Sequence, residues 1–188
     1  MFNIEKVIQT CNYLLQKNGG SLNYTKMIKL LYLADRESLN EAGDTITGDT
    51  YVSMKNGPVL STVYNLIKRE QTNERDQIIW DSRFTKNGYD LIALSDRIPH
   101  GELSRFEMNT LDKLFDQFSN CDFNDMIQYV HNPENCPEWK DTNSSIPISL
   151  AEILEKRFGR TPEEIEWIIE EIESFNEEER LDSLETAE

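Results

Sequence analysis

The stretch MIKLLYLADRE, residues 27–37, is apolar at nearly every position before its charged end, with Lys29 as the exception. A helix that is hydrophobic on all sides belongs in the centre of a bundle. This stretch therefore predicts a central helix, which we expect to run from about Tyr24 to Glu41. The charged residues 35–37 mark its emergence toward water. They could also hold a paired charge near the core, with either a stabilising or a functional role.

Helical patterns surround this stretch on both sides. Apolar residues recur at helical spacing, and Ser or Thr followed three residues later by Glu marks several helix starts. The predicted helices run from an Asn3 cap to Lys17, after Pro58 as a first-turn residue, after Ser104, over residues 123–130, from Ser149 to Gly159, and after Thr161.

Two segments favour β-structure. Residues 49–54, DTYVSM, predict a short strand. Residues 78–95 predict a hairpin, because Trp80, Ser82 and Phe84 alternate and Asn87-Gly88 is a strong turn signal. We expect these segments to form one small antiparallel sheet. The predicted fold is mainly α with a small antiparallel β-sheet (α+β): a single compact helical domain with a hairpin over residues 1–159, then an acidic C-terminal helix and tail over residues 160–188.

The net charge of −16 is concentrated at the end of the chain. Residues 161–188 hold twelve acidic side chains and one arginine, a net charge of −11. Nucleic-acid binding usually requires a basic patch, so no nucleic-acid partner is expected. An acidic surface suits a basic protein partner, or it serves solubility alone.

Location is predicted from what the sequence lacks. It shows neither an apolar run of the ~20 residues that span a bilayer nor a cleavable signal pattern. Three cysteines fit a reducing compartment better than a disulfide framework. We therefore expect a cytoplasmic protein with no membrane partner.

The stretch GDTITGDTYVSMKNGPV, residues 43–59, has the look of a chemical loop. Gly43 and Gly48 have the spacing of phosphate-loop glycines, but Asp49 follows where that loop has Lys, and a carboxylate would repel phosphate. A calcium loop needs oxygen ligands at alternate positions, and Ile46 and Gly48 supply none. We predict a structural corner in which glycines supply positive backbone dihedrals and aspartates cap turns.

Other reactive side chains form no recognisable motif. Cys121, His131 and Cys136, with His100 or a carboxylate as a fourth ligand, lack the spacing of a zinc site. Cys136 and His131 lack the surroundings of a nucleophile and its base, and we expect His131 to lie beside a packed Trp139. No catalytic residue, metal or cofactor is predicted, and the protein is expected not to be an enzyme.

Taken in order, several pieces of the chain resemble the Panacea domain, the SocA-like family of bacterial and prophage antitoxins. The resemblance extends over roughly residues 3–158. The pieces are Lys29–Tyr32 with Asp35-Arg36, Ile46–Asp49, Tyr51–Met54, Gly57–Val59, Val63-Tyr64, and His131 with Pro137–Lys140.

This resemblance implies an antitoxin that neutralises a cognate toxin by direct protein–protein binding. The alternatives are an adaptor that delivers the toxin to a AAA+ protease and an acidic phage-encoded inhibitor of a basic host protein. The oligomeric state is left open. The family motif assigns structural roles to Lys29, Tyr32, Asp35, Arg36, Gly48, Asp49, Gly57, Pro58, His131 and Trp139.

Five residues are predicted to contact a partner. Four of them, Tyr51, Lys55, Asn56 and Tyr64, belong to the corner and the helix after it. The fifth, Trp167, projects from the terminal helix among glutamates, away from an isoleucine face. It could anchor a partner, or lie along a neighbouring loop while the isoleucines close the core.

Overall fold

The computed structural model describes residues 1–95 and 98–185, and these contain eight helices and six strands. The helices are α1 (Ile4–Lys17), α2 (Tyr24–Ala42), α3 (Ser61–Lys68), α4 (Glu74–Asp81), α5 (Arg105–Gln117), α6 (Phe123–His131), α7 (Leu150–Phe158) and α8 (Pro162–Glu185). The strands are β1 (Ser21–Asn23), β2 (Tyr51–Met54), β3 (Gly57–Leu60), β4 (Phe84–Asn87), β5 (Asp90–Ala93) and β6 (Ile146–Ile148). The predicted α+β class is confirmed.

Helix α2 is the centre of the fold, as its all-round apolar sequence predicts. It packs against α5, α6, α7 and β3, so its surface is covered from several directions. Residues 26–36 are buried without interruption. This includes four charged side chains, Lys26, Lys29, Asp35 and Arg36. A helix that buries charge needs a partner for each charge, and those partners define the interior described below.

The prediction of one sheet is wrong, because the structure has two three-stranded antiparallel sheets. Their strand orders are β1-β5-β4 and β3-β2-β6. In each sheet one strand comes from a distant part of the chain: β1 lies between α1 and α2, and β6 lies between α6 and α7. Both strands are three residues long, which is too short for a pattern of period two to be read from the sequence.

The predicted hairpin is correct in its turn and in its second strand, but its first strand begins at Phe84 and not before. Asn87 pairs with Asp90 across the turn that contains Gly88. Trp80, however, lies in α4, which begins after an Asn73 cap. Its ring contacts that of Phe84 at 4.6 Å between centroids. The apparent alternation is therefore a tryptophan near a helix end packing on the first residue of β4.

Pro58 was predicted at the start of a helix but lies in β3, where it pairs with Ser53 of β2. Helix α3 begins three residues later, at Ser61. Proline cannot donate a ladder hydrogen bond, so it is confined to edge strands and bulges. β3 is an edge strand of its sheet, which explains why proline is tolerated there.

The end of the chain folds back on the domain through an isoleucine face. Capping boxes start α7 at Ser149 and α8 at Thr161, as predicted. Ile168 is buried, and Ile165 and Ile172 pack against the core. The boundary near residue 159 stays a prediction. Among the described residues, no helix combines the length and apolar character that crossing a bilayer requires.

Candidate functional site

The corner over residues 43–59 is held by Asp35, which is fully buried in α2. Its carboxylate accepts hydrogen bonds from the Thr47 backbone amide at 2.9 Å, the Thr47 hydroxyl, and the Tyr51 hydroxyl at 2.9 Å. Burial raises the pKa of Asp35 to about 7. This carboxylate therefore ties α2 to the corner and to β2.

Asp49 acts as a helix cap from outside the helix. Its carboxylate accepts hydrogen bonds from the amides of Thr62 at 3.0 Å and Val63 at 2.9 Å, in the first turn of α3. The residue that precedes α3, Leu60, has no side chain able to make such a bond. Burial raises the pKa of Asp49. The acidic residue that is incompatible with a phosphate loop is thus a structural cap.

Gly48 and Gly57 occupy positions where a side chain would not fit. Both have positive φ, 63° and 99° respectively. A Cβ on Gly48 would lie 2.5 Å from the Met1 carbonyl oxygen, and one on Gly57 would lie 2.4 Å from a methyl group of Val130. Close backbone approach explains both glycines.

A second buried cluster joins α2 to the segment after α6. Arg36 and Glu138 form an ion pair at 3.0 Å, and both side chains are buried. The Tyr32 hydroxyl donates to the same Glu138 oxygen at 2.6 Å. Arg36 also donates to the Asn135 carbonyl at 2.7 Å and to the Cys136 sulfur at 3.1 Å. The predicted paired charge near the core is therefore present, with Glu138 as the partner.

Side chains from α2 and from the segment after α6 donate hydrogen bonds to the backbone of the β2–β3 hairpin near its tip. Lys29 donates to the Pro58 carbonyl at 2.6 Å, and burial lowers its pKa to about 7. The Trp139 ring nitrogen donates to the Met54 carbonyl at 3.0 Å. His131 stacks on Trp139 with ring centroids 4.2 Å apart, as predicted for that pair.

The cysteines and histidines considered for a metal site or a nucleophile each have separate surroundings. Cys136 contacts Arg36, and burial raises the pKa of its thiol to about 11. His100 packs edge-on against Tyr13. Within the described residues no group of three or more metal-ligating side chains is close enough to hold an ion.

One of the predicted partner contacts must be corrected. Tyr51 is only 3% exposed, with its hydroxyl on Asp35, so its side chain belongs to the interior. Trp167 is 62% exposed on α8 and lines a cavity with Asn40 and Arg160. Its role in binding stays a prediction.

The structure brings the other three predicted contacts, Lys55, Asn56 and Tyr64, to one concave surface of about 300 Å³. We call it the tyrosine–lysine groove. It is lined by Tyr24, Thr25, Ile28, Lys29, Met54, Lys55, Asn56, Val59, Tyr64, Lys68 and Tyr89.

Sequence reasoning missed half of the groove's characteristic side chains. Tyr24, Lys68 and Tyr89 come from the start of α2, the end of α3 and the β4–β5 turn. A tyrosine directly after the Asn87-Gly88 turn was a usable signal, since a turn tip is exposed. Nothing local indicates that it meets Tyr24, whose amide donates to the Tyr89 carbonyl at 2.8 Å.

Comparison with known proteins adds one positive finding. The family model described as Antitoxin SocA-like, Panacea domain, matches residues 27–140, more than half of the chain. No curated protein and no solved structure matches the chain. The matched segment includes α2 from Met27 onward, both buried clusters and every residue assigned to the family motif from the sequence. The chain therefore belongs to the SocA-like antitoxin family with a Panacea domain.

Proposed function

We propose that the protein neutralises a cognate protein toxin by direct binding, without catalysis. The observation that carries this proposal is the family match over residues 27–140. The buried clusters support the proposal, because they hold the β2–β3 hairpin, the corner over residues 43–59 and the segment after α6 to helix α2. A surface held in this way is largely preformed, so little ordering free energy is lost when a partner binds.

The test is co-expression with the product of a neighbouring reading frame. That product is induced alone, then together with this chain, while growth and co-purification are followed. Relief of growth arrest together with a stable complex is the expected result. Relief without a complex, with toxin decay that requires a AAA+ protease, would replace direct neutralisation by the adaptor alternative.

The acidic inhibitor alternative has its own readout. If no neighbouring product is toxic, and the chain instead displaces DNA or RNA from a basic host protein, the antitoxin proposal is refuted. The concentration of charge in α8 is what an inhibitor of this kind would use.

Helix α8 offers an exposed acidic surface to which the toxin could bind. Trp167 is exposed, and the exposed Glu163, Glu170 and Glu171 lie beside it at helical spacing. We expect this acidic face to contact a basic region of the toxin. Deleting α8 would also uncover the buried Ile168, so deletion would not separate binding from folding.

A variant with changes only on the surface of α8 separates the effect on toxin binding from the effect on folding. Trp167→Ala with Glu163→Gln, Glu170→Gln and Glu171→Gln leaves the isoleucine face intact. The variant should keep the wild-type melting temperature and bind toxin more weakly. Equal toxin affinity in variant and wild type would remove α8 from the proposed interface.

A further inference from the structure

The tyrosine–lysine groove is a basic site in a strongly acidic protein. The chain carries a net charge of −16, yet Lys55 and Lys68 line the groove, and no acidic side chain is among the described residues that do so. A third lysine, Lys86, lies with its ammonium 5.9 Å from the Tyr24 ring centre. A local field of this sign, opposite to that of the whole protein, selects an anionic ligand.

The aromatic side chains of the groove are arranged in contact with these cations. The Tyr24 and Tyr89 rings stack at 5.8 Å between centroids. The Lys68 ammonium lies 5.2 Å from the Tyr24 ring centre and 5.7 Å from that of Tyr64. Its hydrogen bond to Tyr24 raises the pKa of Lys68, so this cation is charged at neutral pH. Lys68 is therefore held in place before any ligand arrives.

Exposed tyrosine gives the groove an apolar side as well as a charged one. Tyr89 is 69% exposed and stands at the rim. Tyrosine offers a large rigid face with few rotatable bonds, which makes it a frequent residue of binding surfaces. A ligand that fits must therefore present both negative charge and an apolar or aromatic group.

The size of the groove is compatible with a short stretch of polypeptide. Its volume of about 300 Å³ is at the lower end of the range for ligand pockets, ~300–1,000 Å³. This is room for a few side chains, not for a folded domain. A nucleic acid also carries negative charge and stacking groups, but its charge runs along the whole backbone, so the acidic surface outside the groove would repel it more than a short acidic segment.

We propose that the tyrosine–lysine groove binds an acidic segment of the toxin that carries at least one aromatic or apolar side chain. This inference rests on the proposed function and names the chemistry of one partner contact. Lys55 and Lys68 pair with carboxylates of the segment. Tyr64 and Tyr89 cover its apolar side chain.

The experiment compares toxin affinity among variants of the full chain by calorimetry. We expect Lys55→Glu with Lys68→Glu to weaken binding at least about tenfold, and to reduce its dependence on salt concentration. Tyr89→Ala should weaken binding by a smaller factor. Lys55→Glu alone, at an exposed position of the hairpin tip, tests the inference if the double variant folds poorly.

The matched control is Arg75→Glu with Lys113→Glu. Both residues are exposed and lie outside the groove, and the change in net charge is the same. The control should bind within about twofold of wild type, because exposed charges outside an interface contribute little. Equal loss in control and groove variants would mean that the effect comes from total charge, which would overturn the inference.

The two proposals fail in different ways. A wild-type chain that does not bind the toxin refutes the proposed function. A wild-type chain that binds, with groove variants that bind equally well, overturns the groove inference and leaves the function standing. Overlapping twelve-residue peptides of the toxin identify the segment, and groove-dependent binding of a basic peptide or of single-stranded decathymidylate would also overturn the inference.

Discussion

Replacing Glu138 by Gln should destabilise the fold strongly, although it alters few atoms. Glu138 is fully buried and accepts hydrogen bonds from Tyr32 and Arg36 at 2.6 and 3.0 Å. Gln keeps the shape and one acceptor but removes the negative charge. Arg36, whose side chain is 1% exposed, then keeps a buried positive charge whose remaining partners are neutral atoms of Asn135 and Cys136 and, at 4.0 Å, the partly exposed Glu37 carboxylate.

The magnitude follows from the loss of the close, buried partner, because Glu37 is more distant and partly exposed. Removing one member of a buried ion pair costs about 3–5 kcal/mol. A single domain is stable by ~5–15 kcal/mol, so the Glu138→Gln variant should lose a large part of its free energy of unfolding. Urea denaturation followed by circular dichroism measures the loss, provided the slope with urea concentration is unchanged.

Two further variants separate charge from shape. Arg36→Met with Glu138→Leu removes both charges and should recover most of the loss, because apolar replacement of a buried pair is often neutral or stabilising. Glu152→Gln is the surface control: its partners Lys140 and Lys156 are partly exposed, so it should cost less than about 1 kcal/mol. A Glu138→Gln variant as stable as Glu152→Gln would refute the argument that the Arg36–Glu138 pair holds α2 to the segment after α6.

Three other perturbations test the corner. Asp35→Asn should flatten the pH dependence of stability. The pKa of Asp35 in the folded state is raised to about 7 from 3.8, so this group contributes stability at low pH that is lost as pH rises through about 7. Urea titrations at about pH 4.5 and 7.5 should show a smaller change in the free energy of unfolding for the variant than for the wild type. Asp49→Ala should cost about 1–2 kcal/mol through loss of the α3 cap, seen in the urea midpoint, and an unchanged midpoint would contradict the capping role. Gly57→Ala should cost about 2–4 kcal/mol, from backbone strain and from overlap of the new Cβ with Val130. Gly88 also has positive φ but has open space around it, so Gly88→Ala should cost about 1 kcal/mol. Equal melting temperatures for these two variants would contradict the packing argument.

Local patterns were sufficient to predict every described helix except α4, whose last residues were assigned to a hairpin strand. The apolar stretch that begins at Met27 identifies the central helix, and the boxes at Ser104 and Ser149 mark helix starts that the structure confirms. These features depend on residues a few positions apart. The same holds for the turn at Asn87-Gly88. Such signals are readable because the interaction that creates them lies within one element.

Long-range partners account for most of what was missed. Glu138 pairs with a residue 102 positions earlier, and no local pattern connects them. Strands β1 and β6 exist because β5 and β2 offer free edges, not because of their own sequence. The groove is similar, since Tyr24 and Tyr89 become neighbours only after β1 and β5 have paired. Tyr51 was predicted to contact a partner, but its hydroxyl donates to the buried Asp35, which lies 16 positions earlier in α2.

The link between Arg36 and Glu138 has a consequence for synthesis on the ribosome. Glu138 lies 102 positions after Arg36, so at ~5–20 residues added per second it is added roughly 5–20 s later. During that interval Arg36 has no Glu138 to pair with, and burying it unpaired would be unfavourable. A nascent chain that ends before residue 138 therefore cannot close its core around α2. Under the proposed function, protection against the toxin would begin only with chains that have passed this point.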